Sequence, residues 1–277
     1  MGLPDASEQA DIILLFGGDG TIHLHLHQLV HLGLPVLVVP AGSGNDFARA
    51  LGLRSLRDAL AAWRGFCAGH GKVRAIDLGT IMSLPIVVMP KEADALPPPH
   101  EADLSQDSPH YFCSVAGLGL GSEVTRRANV LPRWLRGHGG YAAALFPTLF
   151  RFAPFRMKIT SLDGQRTTLS DQPTMLAAFA NTPIYGGGMK IAPRARMDDG
   201  QLDVCVIGGI DPFKLACMFP TVYFGRHLRI REVKYFQASH LRVETEYPLD
   251  VYADGEYVCQ TPVELEVRRE ALKVLTA

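Results

Sequence analysis

Two short apolar segments, each followed by glycines and then by a helical pattern, constrain the fold of this chain more than any other feature. Residues 12–16 and 36–39 are continuous apolar runs bounded by glycine or proline, which is typical of buried parallel strands. The apolar positions between them share one face of a helix: Ile22, Leu26, Leu29 and Val30. Ser55 and Asp58 suit a capping position before a second helix, "LRDALAAWRGF". We therefore predict a strand–helix–strand–helix α/β layer at the start of the chain.

From residue 73 onward, strand-like segments dominate. They are "VRAIDLGTI", "HYFCSVAG", "FRMKITSLDGQRTTLS", "TMLAAFAN", "LDVCVIG", "LRVET", "LDVYADGEYVCQ" and "VELEVR". Asp-Gly pairs at 163–164 and 254–255 are strong hairpin signals. Helices are predicted near residues 122–130, 138–152 and 211–225. This part is predicted to be an antiparallel β-sandwich.

The predicted domain division falls at residue 77. Residues 1–77 form the α/β domain and residues 78–277 form the sandwich domain, and the extreme C-terminus is a candidate to return to the first domain. Residues 91–109, "KEADALPPPHEADLSQDSP", are proline-rich and acidic, with little to bury. We predict that they form a mobile surface loop.

Composition narrows the class of protein. The 27 Lys and Arg residues balance 28 Asp and Glu residues, so net charge gives no reason to expect a nucleic-acid partner. Five scattered cysteines favour reduced thiols over a disulfide frame or a zinc site. The N-terminus lacks signal-peptide features, and the longest uncharged run, 20–45, is broken by glycines, prolines and histidines. These features predict a soluble, cytoplasmic protein.

The glycines after the first apolar run, "GGDGT" at 17–21, suit an anion. Glycine allows backbone N–H groups to approach an anion closely, and a helix that begins near Thr21 adds its positive end. Asp19 would repel phosphate unless a cation stands between them, so its carboxylate implies Mg²⁺, directly or through water. A tight strand-to-helix turn without a ligand is the alternative.

The second apolar run leads into the same arrangement. Gly42–Gly44 precede Asn45 and Asp46, which also suit the cap of a following helix without any further role. Because the carboxyl ends of neighbouring parallel strands meet at one edge of a sheet, the two loops are expected to open side by side. Together they predict a nucleotide-phosphate site.

Several stretches, in this order and spacing, resemble one known family. They are "GGDGT", "PAGSGNDFARALG", "AIDLG", "FCSVAGLGLGSEVTRRAN", "YGGGMKIAPRARMDDGQLDV" and "DVYADGE". The sequence resembles the diacylglycerol kinase catalytic family, specifically its soluble bacterial lipid kinases, which are related to sphingosine and ceramide kinases. The resemblance implies an α/β nucleotide-binding domain of the NAD kinase and diacylglycerol kinase type, followed by a β-sandwich domain. It also implies transfer of the ATP γ-phosphate to a lipid hydroxyl with Mg²⁺, in the cleft between the domains.

The resemblance assigns roles to individual residues. Asp19, Asp46 and Asp77 would organise Mg²⁺, partly through water, and Glu256 would be the general base on the lipid hydroxyl. Without the resemblance, Asp77 is a strand-edge aspartate in water and Glu256 a solvent-facing hairpin residue. The nucleotide would be held by Gly17, Gly18, Asp19, Gly20, Thr21, Gly42, Ser43, Gly44 and Asn45.

A second, structural metal is implied at "ARMDDGQLD", residues 195–203. Asp199 would supply a side-chain ligand, and Arg196 and Gln201 would supply backbone carbonyls. A plain Asp-Gly turn is the competing interpretation. Lys190 in "YGGGMKIAP" is either a phosphate contact or a solvated surface lysine.

Three features depart from the family pattern. The GGDGT loop begins at residue 17, so the family's opening strand–helix unit, with its Asn-Pro-x-(Ser/Ala)-Gly turn, is missing from this sequence. We expect an exposed sheet edge, weak ATP binding and a candidate homodimer contact at that edge. His23-Leu24 replace the family's Asn-Glu, and Ser114 stands where many relatives have asparagine.

The replacement places His23, His27 and His31 on one stripe of the first helix. Histidines one helical turn apart can chelate zinc. Partly exposed surface or interface histidines are the alternative, and we favour it.

The sequence thus favours an ATP-dependent lipid kinase with diacylglycerol as the default substrate; sphingoid bases, ceramide and phosphatidylglycerol-like lipids are left open. A non-catalytic lipid- or nucleotide-binding relative is the alternative, and NAD kinase or phosphofructokinase chemistry fits the motifs less well. Peripheral membrane contact is predicted for residues 131–156, with Trp134 as its main residue; burial of the phenylalanines in the core is the competing interpretation.

Overall fold

The computed structural model describes residues 10–85, 109–130 and 140–277. Its first part is the predicted strand–helix–strand–helix layer. In order, the elements are β1 (Ile13–Gly17), α1 (Asp19–Leu32), β2 (Val36–Pro40), α2 (Asp46–Ala50) and α3 (Leu56–Cys67). Strands β1 and β2 are parallel, with Ile13 opposite Val36 and Gly17 opposite Pro40, so both glycine loops leave the sheet at the same end.

The predicted cap of α3 is confirmed. The Asp58 N–H donates to Ser55 Oγ, and the Asp58 carboxylate accepts the Arg54 N–H, so two otherwise unpaired groups of the first turn are satisfied. Helix α1 packs on the sheet through the stripe that the spacing predicts, in which Ile22, Leu26 and Leu29 are buried.

The second part consists mostly of antiparallel strands with inserted helices. Its elements are β3 (Val73–Ser83), β4 (His110–Phe112), β5 (Val115–Gly119), α4 (Leu120–Val130), α5 (Gly140–Leu149), β6 (Phe155–Ser161), β7 (Thr167–Ala180), β8 (Leu202–Gly208), α6 (Pro212–Val222), a 3₁₀ helix (Arg226–Arg229), β9 (Val233–Ala238), β10 (His240–Thr245), β11 (Asp250–Ala253), β12 (Glu256–Gln260) and β13 (Val263–Leu275). The Asp-Gly pairs join β6 to β7 and β11 to β12, and the three predicted helices lie where expected. The sandwich prediction is confirmed.

Two features of this part differ from the prediction. Strand β9 was not predicted, because it is partly exposed and has no regular apolar pattern; it pairs only with β8 among the described strands. The predicted strand "HYFCSVAG" is broken after Phe112, where backbone N–H groups of the connecting residues turn to the Asp254 carboxylate.

Strand β13 connects the two parts. It pairs with β3 from Val263 to Leu275, and near its end Val274 lies opposite Val36 of β2 in parallel pairing. Leu272, Val274 and Leu275 are buried in the core of the α/β layer. The C-terminal end of the chain therefore completes the first layer, and residue 77 lies inside the continuous strand β3.

Three apolar clusters form the core: one under the α/β layer, one inside the sandwich, and one between β7, β8 and helices α4, α5 and α6. None of the helices described is long and apolar enough to cross a membrane. All five cysteines lie in described segments and have free thiols. The predicted mobile loop, apart from Pro109, and Trp134 lie outside the described residues.

Candidate active site

The two glycine loops touch each other at the carboxyl end of β1 and β2. A Cβ atom added to Gly18 would lie 2.9 Å from Gly42 Cα, so neither position accepts a side chain without moving the other loop. Asn45 holds the second loop closed, because its Oδ1 accepts the Gly42 N–H at 2.9 Å and its Nδ2 donates to the Gly42 carbonyl at 2.7 Å. Asn45 has a left-handed backbone, with φ of 56°, and its side chain does not cap α2.

Asp19 supplies the cap that Asn45 does not. Its carboxylate accepts the Phe47 N–H at 3.0 Å and the Asp46 N–H at 3.1 Å. Asp19 of the first glycine loop therefore caps α2, the helix that follows the second glycine loop. Burial raises the pKa of Asp19 and the charges of Asp46 and Asp254 add to this, while the two N–H bonds oppose it. The carboxylate is held in place but carries an unfavourable charge.

Asp46 extends the site across the cleft. It is 4% exposed, accepts the Gly187 N–H at 2.7 Å and is paired with Arg49 at 2.9 Å. Burial raises its pKa, and the bonds from Gly187 and Arg49 oppose that shift. The "YGGG" stretch thereby meets the second glycine loop, as tight backbone at a junction requires.

Glu256 lies on the other side of the first loop. It is the first residue of β12 and exposed, and its Oε1 would lie 3.1 Å from a Cβ atom at Gly20. The predicted base therefore stands beside the first turn of α1, which also carries Asp19.

Asp254 is a site residue that the sequence analysis missed. Its side chain is fully buried, its φ is 52°, and its carboxylate accepts the N–H groups of Cys113 at 2.8 Å, Ser114 at 2.8 Å and Val115 at 3.2 Å. Its backbone N–H donates to the Val115 carbonyl at 3.0 Å. In the sequence, Asp254 and Gly255 were interpreted only as a hairpin turn, although Glu256, the predicted base, follows them directly.

These residues surround a cleft of about 670 Å³. Seven of the nine predicted nucleotide-binding residues line the cleft, and Gly17 and Asn45 do not. Four carboxylates line the cleft, and no Lys, Arg or His does so among the residues that the structure describes. The remaining polar lining was mostly not predicted: Ser114, Ser122, Thr125, Tyr185, Tyr223 and Tyr252.

The structure does not bring Asp77 into this cleft. It is buried in β3, and its carboxylate accepts the Gly200 N–H at 2.7 Å and the Glu270 N–H at 2.8 Å. Asn181 donates to its carbonyl at 2.8 Å. Its oxygens thus join β3 to β13 and to the 195–203 loop, and a share of Asp77 in a Mg²⁺ site with Asp19 and Asp46 stays a prediction.

The 195–203 loop has the contacts of an Asx turn. Asp199 Oδ1 accepts the Gln201 N–H at 3.1 Å, and the Arg196 guanidinium is exposed and paired with Asp198, which also contacts Arg74. No group of three or more His, Cys, Asp or Glu side chains suited to a metal occurs in the described segments. A site built from Asp199 and the carbonyls of Arg196 and Gln201 stays a prediction.

The histidine stripe of α1 has separate contacts along its length. His23 approaches Asp254, with Nδ1 at 3.4 Å from Oδ2, and the His27 ring lies 5.9 Å from the ring of Tyr111. His31 is exposed. The stripe thus meets different partners, as the surface and interface alternative implies.

A small apolar cavity of about 40 Å³ lies behind the cleft, between β7, β8 and helices α4, α5 and α6. Leu176 and Tyr185 line both spaces. The other lining residues are Leu120, Leu145, Leu149, Met175, Met189, Ile191, Ile207, Leu215, Met218, Phe219 and Val222.

Two profiles of known protein families match this chain. The profile of the diacylglycerol kinase catalytic domain matches residues 3–81, and that of the YegS C-terminal NAD kinase beta sandwich-like domain matches residues 114–276. A diacylglycerol kinase of Mycobacterium tuberculosis is 33% identical over 265 residues, which cover 96% of this chain and 76% of the relative.

Solved structures show the same fold. A diacylglycerol kinase from Bacillus anthracis superposes with a TM-score of 0.62 at 18% identity, over 96% of this chain and 76% of that one. Yeast NADH kinase complexed with NADH superposes with a TM-score of 0.51 at 12% identity, over 97% and 62%. The predicted fold class, an α/β layer of this type followed by a β-sandwich, is thereby confirmed. The chain belongs to the diacylglycerol kinase family of lipid kinases.

Proposed function

We propose that this protein transfers the γ-phosphate of ATP to the hydroxyl of a membrane lipid, with diacylglycerol as the substrate and Mg²⁺ as the cofactor. The observation that carries the proposal is the composition of the cleft wall. Two glycine loops, the first turn of α1 and four carboxylates line the cleft, and no cationic side chain does so in the part of the chain that the structure describes.

The loops suit the phosphates, and the carboxylates suit a metal. Backbone N–H groups and the start of α1 provide partial positive charge, but a polyphosphate next to four carboxylates needs a full cation. Asp19 and Asp46 would hold Mg²⁺, directly or through water, since carboxylate oxygens are its preferred protein ligands. When bound, Mg²⁺ supplies charge neutralisation for the transferred phosphate.

Glu256 is proposed as the general base. It takes the proton of the lipid hydroxyl while the lipid oxygen forms a bond to the γ-phosphorus and the bond to the β-phosphate oxygen breaks, which releases ADP. The carboxylate lines the cleft beside Gly20, which belongs to the glycine loop that would hold the phosphates.

The apolar cavity supports a lipid acceptor. Leu176 and Tyr185 line both this cavity and the cleft, and its wall comes from helices on one side and β7 and β8 on the other. A volume of about 40 Å³ is smaller than an acyl chain, so we propose that α5 and α6 separate when the lipid binds.

A basic and aromatic surface next to the cleft supports a membrane partner. Tyr223 lines the cleft, and Phe224 beside it is 72% exposed. The segment that follows α6 exposes three arginines: Arg226, Arg229 and Arg231. Exposed aromatic and cationic groups together suit an anionic bilayer surface. Contact through Trp134 stays a prediction, and a homodimer contact at the edge strand β1 stays one as well.

The activity is tested with γ-labelled ATP and Mg²⁺ on vesicles that contain diacylglycerol, a sphingoid base, ceramide or phosphatidylglycerol. We expect label transfer to diacylglycerol, and a loss of at least about 100-fold in Glu256→Gln because the base is removed. Asp171→Asn, which removes a surface carboxylate outside the cleft, serves as the control. A properly folded chain that labels none of these lipids, yet binds them or ATP, would support the non-catalytic alternative.

Co-sedimentation with vesicles tests the basic and aromatic surface of the protein. We expect Arg226→Gln and Arg229→Gln each to weaken co-sedimentation with anionic vesicles by about fivefold, since each arginine near such a surface contributes about 1 kcal/mol. Phe224→Ala should weaken it further, while Leu56→Ala, which truncates a similarly exposed side chain (63%) on α3, should not. Unchanged vesicle binding in the arginine and Phe224 variants would rule this surface out.

A further inference from the structure

We infer that His23 is a positioning residue: it links the nucleotide side of the cleft to the turn that carries the general base. The inference rests on the proposed kinase function and deepens it, because it assigns a role to a residue at which this chain departs from the motif pattern of its family. It draws on three observations about the contact between α1 and the β11–β12 turn.

The first observation is where His23 lies on α1. The helix begins at Asp19, so His23 follows one turn later on the same side, and Asp19 and Thr21 of that turn line the cleft. His23 Nδ1 lies 3.4 Å from Asp254 Oδ2, and its side chain is 17% exposed. Any movement of the turn relative to α1 therefore changes this contact.

The second observation is how the turn is otherwise held. Apart from His23, the hydrogen bonds that the Asp254 carboxylate accepts from described residues come from Cys113 and Ser114, which link β4 to β5, and from Val115, the first residue of β5; its backbone N–H pairs with Val115 as well. These contacts fix the turn to the sandwich sheet. Within the described part of the chain, the bond from His23 is the one that connects the Asp254 carboxylate to the α/β layer.

The third observation is the charge around His23. The Asp254 and Glu256 carboxylates face it from the turn, His110 faces it from β4, and His27 follows on its own helix. Burial lowers the pKa of His23, but the hydrogen bond that His23 donates to Asp254 and the charges of Asp254 and Glu256 outweigh this, so the pKa is raised. A protonated imidazole here donates a charge-assisted hydrogen bond to the buried Asp254 carboxylate, which is stronger than the bond from a neutral donor.

The geometry points to an experiment with a matched pair of substitutions. The amide nitrogen of asparagine occupies nearly the position of a histidine Nδ1, so His23→Asn keeps a donor toward Asp254 and His23→Leu removes it. His27→Leu is the control, because His27 belongs to the same stripe but approaches the Tyr111 ring.

We expect His23→Leu to lower kcat by roughly 10- to 100-fold with little change in the KM for ATP, as the loss of a bond to a charged group would do. His23→Asn should recover most of kcat but show an altered basic limb of the pH–rate profile, since the imidazole loses its proton as the pH rises through its pKa and the amide does not titrate. His27→Leu should behave like the parent protein. Thermal stability should be similar in all three variants.

A readout independent of catalysis separates this inference from the proposed function. Hydrogen exchange measured by mass spectrometry should be faster over residues 250–260 in His23→Leu, and unchanged in His23→Asn and His27→Leu. If the parent phosphorylates no lipid but this exchange pattern holds, the proposed function fails and the link through His23 stands. Equal kcat and equal exchange in His23→Leu and the parent, or an asparagine variant as impaired as the leucine variant, would overturn the inference.

Discussion

Two regions of the molecule each hold an aspartate whose two carboxylate oxygens accept backbone N–H groups. One region is the pair of glycine loops in the α/β layer, and the other is the paired strands β3 and β13. Asp19 binds the amides of Asp46 and Phe47, and Asp77 binds those of Gly200 and Glu270. By hydrogen bonds alone the two carboxylates are alike. Their surroundings differ: Asp19 lines the cleft near two other carboxylates, and Asp77 lies in β3 and does not line the cleft.

Satisfied hydrogen bonds alone therefore do not separate the carboxylate that we propose for catalysis from one that joins segments of the fold. Asp19 combines fixed geometry with like charges close by, an arrangement that costs folding free energy and that a bound cation would relieve. Asp77 combines fixed geometry with contacts between three separate segments, an arrangement that stabilises the fold. The predictions that follow test this contrast.

Asp19→Asn should have the largest effect on catalysis, a loss of at least about 100-fold in kcat at neutral pH, because the charge that would hold Mg²⁺ is removed while the shape is kept. The effect on stability should be small. A raised pKa means that the favourable contribution of Asp19 is present below its usual pKa and lost as pH rises through the folded value. At neutral pH, loss of the charge therefore offsets the loss of one N–H acceptor.

The checks are label transfer at saturating Mg²⁺ and a thermal melt without Mg²⁺. A variant with parental turnover would remove Asp19 from the mechanism, and a melting temperature lowered by many degrees would show that its main role is structural.

Asp77→Asn should have the opposite effect to Asp19→Asn, with a larger loss of stability and a smaller loss of turnover. One of the two buried N–H groups loses its acceptor, so the free energy of unfolding should fall by about 2 kcal/mol, measured by urea denaturation. Turnover per folded molecule should fall much less than in Asp19→Asn. A loss of turnover as large as that of Asp19→Asn, in a variant with parental stability, would return Asp77 to the reacting centre.

A glycine beside each aspartate gives a finer test. A Cβ atom at residue 44 would lie 2.8 Å from Asp19 Oδ2, so Gly44→Ala should displace the carboxylate and reduce kcat by about 10-fold. Gly200, with φ of 71°, is left-handed, and a Cβ atom there would overlap the Arg269 guanidinium. Gly200→Ala should therefore cost about 1 kcal/mol of stability and leave kcat nearly unchanged. Equal effects of the two substitutions on kcat would contradict the proposed difference between a catalytic Asp19 and a stabilising Asp77.

The sequence predicted those features that depend on local pattern. The apolar runs at 12–16 and 36–39, the stripe of α1 and the two Asp-Gly hairpins follow from spacing and turn chemistry over a few residues. The meeting of the two glycine loops followed from the same information, because parallel strands place their carboxyl ends together.

The features that it missed depend on distant contacts. Asp77 and Asp19 both follow the family pattern, but the bonds from Gly200 and Glu270 to the Asp77 carboxylate depend on segments more than 100 residues away and were not predicted. Asp254 was missed because an Asp-Gly pair predicts a hairpin turn whether or not its aspartate belongs to a functional site. Strand β9 carries no regular pattern, because it is partly exposed and its position comes from pairing with β8.

The pairing of β13 with β2 also determines the order in which the molecule can assemble. Val36 and Val274 are neighbours in space but lie far apart in the sequence, so the sheet beneath Asp19 and Asp46 is incomplete until β13 has joined it. Closing so long a loop is slow and costs chain entropy that local contacts do not recover. We therefore expect the α/β layer to gain its complete sheet late in folding, together with the pairing of β3 and β13.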